Sequence, residues 1–299
     1  MPTRRAHTAA FTLLALSLAS SATASDCDPS AFSSDTLPPG TWWQAGVSVS
    51  APQLLSQAAR QDVVLLGERH DRVDHHRWQL HTLAGLAAHR EALVIGLEML
   101  PREAQPALDA WVAGELNEEE FLTESDWHNA WGIDPALYWP ILHFARMEQI
   151  PLIALNVRPT LRRELAAEGF DAVPADDRHH IPAPAAPTTA YRERLQAVFE
   201  SHPMGENDHT PSDVAFERFL NAQLTWDVAM ASALADAAQE DVLAVGLMGV
   251  GHLGDGVPHQ LDALGVDEVF TLMPVTPEPC EPLNPTRADA LYLLEHPTP

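Results

Sequence analysis

Five short stretches of the chain are apolar at nearly every position: Val63 to Leu66, Ala92 to Leu97, Pro151 to Leu155, Val242 to Met248 and Val269 to Met273. They are rich in branched residues and lack the polar alternation of a strand with one wet face. That is how strands covered on both faces of a parallel sheet read. Between several of them the period becomes helical. Asp74 to His89 brings Trp78, Leu80, Leu83, Leu86 and Ala87 to one side, and Leu137 to Met147 does the same with Leu137, Ile141, Leu142, Phe144 and Ala145. Asp213 to Ala238 predicts a long helix with Phe216, Phe219, Leu220, Leu224, Val228, Ala231 and Leu234 inward. Strand and helix in alternation predict an α/β fold with a mostly parallel central sheet flanked by helices.

Two segments break the alternation. Arg102 to Trp131, rich in Ala, Glu and Trp, predicts a small helical insertion. Asp171 to Pro211 carries six prolines and the histidines His179, His180, His202 and His209, and predicts an irregular lid or binding loop. The remainder reads as a single domain over 25–299. Residues 1–24 stand apart: Arg4 and Arg5, then the apolar stretch Ala9 to Leu16, then small residues ending at Ala24, the order of a secretory leader. The expected product is an exported, periplasmic protein, and no other stretch is long and apolar enough to span a bilayer.

Composition narrows the partners. The chain has 299 residues, 46% hydrophobic and 20% charged, which suits a sizeable core, and its formal net charge is -25. Every basic residue is arginine. So acidic a surface repels phosphate backbones and anionic lipid, which argues against nucleic acid and membrane surfaces as partners. In an oxidising compartment Cys27 and Cys280 are expected to form one disulfide. An acid at Asp26, where a lipid-modified cysteine is preceded by a small residue, speaks against a lipid anchor at Cys27.

Candidate chemistry follows from the strand ends. In an open parallel sheet, ligands sit beyond the carboxyl ends of the strands, so residues just after each apolar run share one rim. They are Glu68, His70 and Asp71, then Glu98, then Asn156 and Arg158, then His252 and Asp255. Two Gly-x-x-His strings, Gly67 to His70 and Gly249 to His252, end two of the runs, and Gly67, Gly249 and Gly251 allow sharp turns and close approach. Histidine and carboxylate are the usual ligands of zinc, manganese or iron, so His70, Glu98 and His252 form a candidate metal set. Glu68 or Glu98 would then be the general base for hydrolysis. The same rim suits a haem or a small iron complex, with Asn156, Arg158 and Tyr138 as ligand-binding candidates. Against these readings stands plain turn chemistry with satisfied histidines. His75, His76, His81 and His89 read as a solvated helix face. Trp127, Trp131 and Trp139 read either as an aromatic wall for a flat ligand or as packing of the insertion.

The strings GERHD at Gly67, GLEM at Gly96, YWPILHFA at Tyr138, IPLIALN at Ile150, AQLTWDVAMA at Ala222 and GVGH at Gly249, with His76 and Gln79 between the first two, together resemble the ChaN-like haem-binding uptake proteins. That family is similar in turn to the Tiki, TraB and erythromycin-esterase group. The resemblance covers about Val63 to Met273. It implies an α/β sheet with a helical subdomain, an envelope location, haem bound between two subunits of a homodimer, and tyrosine as haem ligand. The chain offers Tyr138, Tyr191 and Tyr292, and only Tyr138 lies in a matching string. For the hydrolytic relatives the resemblance implies metal-assisted hydrolysis by His70, Glu98 and His252 with Glu68 beside them. Haem or iron handling in uptake is the first expectation. A metal-dependent hydrolase of a peptide, ester or amide is the second.

Overall fold

A computed structural model describes residues 38–201, 213–238, 241–276 and 287–295. The expected leader over 1–24, Cys27, Cys280, His202 and His209 lie outside the described residues. The five apolar runs form β3 (Val63–Glu68), β4 (Leu93–Pro101), β5 (Leu152–Asn156), β6 (Leu243–Gly249) and β7 (Val269–Val275). All are parallel to their neighbours, and all are buried at most positions. Three short strands complete an eight-stranded sheet of order β2-β1-β8-β7-β3-β6-β4-β5. They are β1 (Trp42–Gln44), β2 (Val47–Val49) and β8 (Ala290–Leu293). β8 pairs parallel to β7, whereas β1 is antiparallel to both β8 and β2. The β1–β2 turn uses Ala45 and Gly46, both at positive φ, which matches the twist of a two-residue hairpin.

Alternation along each strand divides the core into two layers. Val64 and Leu66 of β3, Ile95 and Leu97 of β4, and Val245 and Leu247 of β6 pack on one face. There they meet α1 (Ala51–Ala58), α2 (Val73–Ala87) and the helices of the insertion. Val63 and Leu65 of β3, with Ala244 and Met248 of β6, pack on the other face against α9 (Asp213–Ala237) and α10 (Val257–Ala263). The sheet thus has helices on both faces, as the unbroken apolar runs require.

The insertion holds a 3-10 turn at Arg102–Ala104, then α3 (Gln105–Ala113), α4 (Glu118–Glu124) and α5 (Trp127–Ala130). α4 starts with a reciprocal cap, Asn117 accepting from the Glu120 amide and Glu120 from the Asn117 amide. α6 (Trp139–Met147) leads into β5, and α7 (Pro159–Glu168) follows it. The stretch expected to be irregular over 171–211 contains a helix, α8 (Thr189–Ser201). Its prolines all lie outside that helix, and Tyr191, Leu195, Val198 and Phe199 give it a buried stripe. Among the described residues no helix is long and apolar enough to cross a membrane.

Candidate functional site

Glu68 and Glu98 end up on opposite faces of the sheet because alternation sends them there. Glu68 follows the parity of Leu66 and meets α2 and α6, while Glu98 follows Leu97 by one residue and turns toward α9. Both are buried, as is His252. The two carboxylates come to one place at the end of β6. Gly249 donates its amide to Glu98 Oε2 at 2.6 Å. A methyl group on Gly249 would lie 2.9 Å from His70 Cε1, 3.0 Å from His70 Nε2 and 3.7 Å from Glu98 Oε2. Glycine is required there by close approach, since its φ is -59°. A Cβ on Gly67 would meet the end of the Leu253 side chain at 2.5 Å, which would have to shift, whereas Gly251 has open space around it.

On the first face Glu68 Oε1 accepts from His70 Nδ1 at 2.7 Å and from the Tyr138 hydroxyl at 2.7 Å. Its other oxygen is 3.3 Å from His76 Nδ1, which also lies 3.2 Å from Gln79 Oε1. His76 Nε2 donates to the His70 carbonyl at 3.0 Å. Every partner of the His76 ring is thus an acceptor, so the ring carries both protons. Burial works against charge on Glu68, yet the hydrogen bonds from His70 and His76 outweigh it and hold the carboxyl well below the usual range. Burial likewise opposes charge on His70 and His76, and Glu68 overrides it, so both imidazoles are raised. His75 and His76 are buried, not solvated as their sequence pattern predicts. They share the inward stripe of α2 with Gln79, Thr82, Leu83 and Leu86, because the helix begins directly behind the rim.

On the second face His252 is held between two carboxylates. Its Nδ1 is 2.6 Å from Asp227 Oδ1 and its Nε2 is 3.4 Å from Glu98 Oε1. Burial disfavours the charged ring, but Glu98 and the Asp227 hydrogen bond push its pKa up to about 10. Asp227 also accepts from the Tyr191 hydroxyl. Asp227 escapes a reading by strand ends because it comes from mid-helix. Its signal is a lone acid among the apolar residues of α9, Trp226 before it and Val228 to Ala231 after it.

The rim residues do not all converge. Asn156 donates to the Glu98 carbonyl at 2.9 Å and accepts from the Val157 amide at 2.8 Å, so it ties the ends of β4 and β5. Arg158 is exposed and pairs with Glu103 at 3.1 Å. Tyr138 and Tyr191 are buried behind the carboxylates they bond, and burial raises both phenols well above their usual pKa. Of the chain's tyrosines only Tyr292 is not buried, and it lines an open groove of about 440 Å³ with Arg77, Trp78 and His81. Trp127 and Trp131 are core residues. Trp131 presents its edge to His70, with ring centroids 4.6 Å apart, and donates to Tyr138 at 3.3 Å.

His70, Glu98 and His252 therefore come together as the sequence predicts, but as ion pairs. Among the described residues no three histidine, cysteine or carboxylate side chains are arranged to hold a metal ion. The donors point at one another and not at a common centre. One ring nitrogen is left over. His70 Nε2 has no hydrogen-bond partner among the described residues, its Nδ1 is fixed by a carboxylate, and its side chain is 15% exposed. An imidazole oriented by a carboxylate through one nitrogen, with the other free, is the usual form of a histidine that binds iron. The residues present thus fit a haem iron at His70, which would hold it through Nε2.

A family model described as haem-binding uptake, Tiki superfamily, ChaN matches residues 54–261, well over half of the chain. No curated protein matches it. Among solved structures, one of ChaN from Campylobacter jejuni with cofacial haem has a TM-score of 0.63 at 16% identity, covering 84% of this chain and 95% of that one. A toxin effector domain from Vibrio vulnificus is similar with a TM-score of 0.43 at 17% identity, covering 71% of this chain and 34% of that one. An erythromycin esterase variant has a TM-score of 0.43 at 14% identity, covering 74% and 72%. At such identities the likeness is one of fold.

Proposed function

This chain belongs to the haem-binding uptake family typified by ChaN, in the Tiki superfamily, and on that premise we propose that it binds haem at the rim of its sheet, with His70 facing the iron. Haem, when bound, would supply a Lewis-acidic iron that takes a nitrogen or oxygen donor. The observation that carries the reading is the free Nε2 of His70 on a ring oriented by Glu68. Glu68 fixes the tautomer and strengthens the imidazole as a donor. Tyr138 and His76 fix Glu68 in turn, which makes them positioning residues. Trp131 supplies an aromatic edge beside the ligand nitrogen. The leader over 1–24 supports export to the periplasm, where such a protein handles haem or a small iron complex during uptake.

A hemin titration of the chain from Ser25 onward tests this. Saturable binding with a shifted Soret band is expected, and His70→Ala weakens it at least about tenfold, as loss of an oriented ligand does. A flat titration overturns haem binding. Binding that His70→Ala leaves unchanged overturns the assignment of His70 and turns attention to Tyr292. A second reading, hydrolysis of an ester or amide, is favoured by one observation: His70, oriented by Glu68, and Glu98, paired with the charged His252, both lie beside Gly249. This is the layout of a base and an acid. Turnover of a nitrophenyl ester that His70→Ala abolishes would support it, and no turnover with or without added zinc or manganese would remove it.

A further inference from the structure

Arg162, in the first turns of α7, is half-buried beside the second face of the site. Its guanidinium lies over the Trp226 ring, 4.1 Å from the centroid, and among the described residues it makes no hydrogen bond or ion pair. Trp226 in turn meets His252 edge-on, with centroids 5.0 Å apart, and its own indole N–H is buried without an acceptor among the described residues. Two donors with nothing to donate to therefore stand together beside the Glu98–His252 pair. A planar fork of five N–H groups left unpaired is an unusual use of arginine, whose geometry matches carboxylate and phosphate. Arg194 lies near the end of the second Gly-x-x-His string, donating to the Leu253 carbonyl at 3.2 Å.

We infer that Arg162, held flat on Trp226, binds a carboxylate of the ligand that enters this rim. Resting on the haem reading, that carboxylate is a haem propionate. The Trp226 ring holds the guanidinium plane and shields one of its faces, so an incoming carboxylate meets the N–H edge and forms paired hydrogen bonds.

Two measurements on the chain from Ser25 onward test this. The first compares wild type, Arg162→Gln and Arg162→Lys, each checked for native circular dichroism, in inorganic phosphate and in chloride at equal ionic strength. Phosphate is expected to raise the Tm of wild type above its value in chloride, Arg162→Gln to lose the rise and Arg162→Lys to keep part of it. The second titrates hemin against hemin dimethyl ester, whose propionates carry no charge. Wild type is expected to prefer hemin by about 10- to 100-fold, the range of a charge-assisted pair, and Arg162→Gln to bind the two alike. A phosphate effect with a flat hemin titration leaves the anion site standing and removes haem. Hemin binding that neither esterification nor Arg162→Gln alters, with no phosphate effect, overturns the anion site and leaves haem standing. A lower Tm in Arg162→Gln with no dependence on anion or ester also overturns it and assigns Arg162 to packing on Trp226. If Arg162→Gln fails the circular dichroism check, the ester comparison in wild type decides alone.

Discussion

His252 is charged because both ring nitrogens face carboxylates, and that charge is a stability term with a definite sign. Its pKa stands at about 10 in the fold against 6.5 in the open chain. A raised value means the stabilisation is complete below 6.5 and is lost as the pH rises through about 10. Urea unfolding from pH 6 to 10.5 is therefore expected to show a falling stability for wild type. In His252→Gln the fall is smaller, the remainder coming from the raised His70 and His76, and the starting stability is lower by about 3–5 kcal/mol, since Glu98 and Asp227 lose the cation between them. An equal alkaline slope in both proteins would contradict this assignment. At the scale of single residues the sequence revealed His70, Glu68, Glu98 and His252, because each follows an apolar run. It did not reveal Asp227 or the burial of His76, because these depend on which helix side lies over the rim. Gly251 was legible as a motif position, yet no contact in the structure requires a glycine there.

The elements divide by burial. β3, β4, β5, β6 and β7 were readable because strands covered on both faces must be apolar throughout. β1, β2 and β8 have three or four residues each and lie toward one edge, where one face is partly wet and no run is long enough to show. What fixes β8 is a side-chain clamp: Asp289 Oδ2 accepts from the Thr271 amide at 2.8 Å and hydroxyl at 2.7 Å, while that hydroxyl accepts from the Asp289 amide at 2.9 Å. Asp289→Ala is expected to cost about 1–3 kcal/mol by leaving the buried Thr271 donors unpaired. Hydrogen exchange would then show lost protection in Ala290–Leu293 and Trp42–Val49, with β3 and β6 unchanged. Uniform loss across the sheet would show that the clamp holds more than the edge. α8 was missed for another reason: prolines on both sides masked a helix that its apolar stripe alone would have predicted.

At the scale of the whole molecule, the net charge of -25 places acids close together over most of the surface. Screening should relieve that repulsion. The Tm is expected to rise by about 2–4 °C for each kcal/mol of repulsion removed when sodium chloride goes from 0.02 to 0.5 M, measured by calorimetry on the chain from Ser25 onward. A fall with salt would mean that local ion pairs outweigh the overall repulsion. Sequence by itself determined the α/β class, the five central strands, the rim that carries both Gly-x-x-His strings, and the family, because each rests on local period or on strings of neighbouring residues. Tertiary structure alone decided that Glu68 serves His70 and His76, that Glu98 and Asp227 share His252, and that the Arg162 guanidinium lies on Trp226. Those pairings join β3 to α2, β4 to β6 and α9, and α7 to α9. They follow from strand order and helix placement, which no run of neighbouring residues encodes.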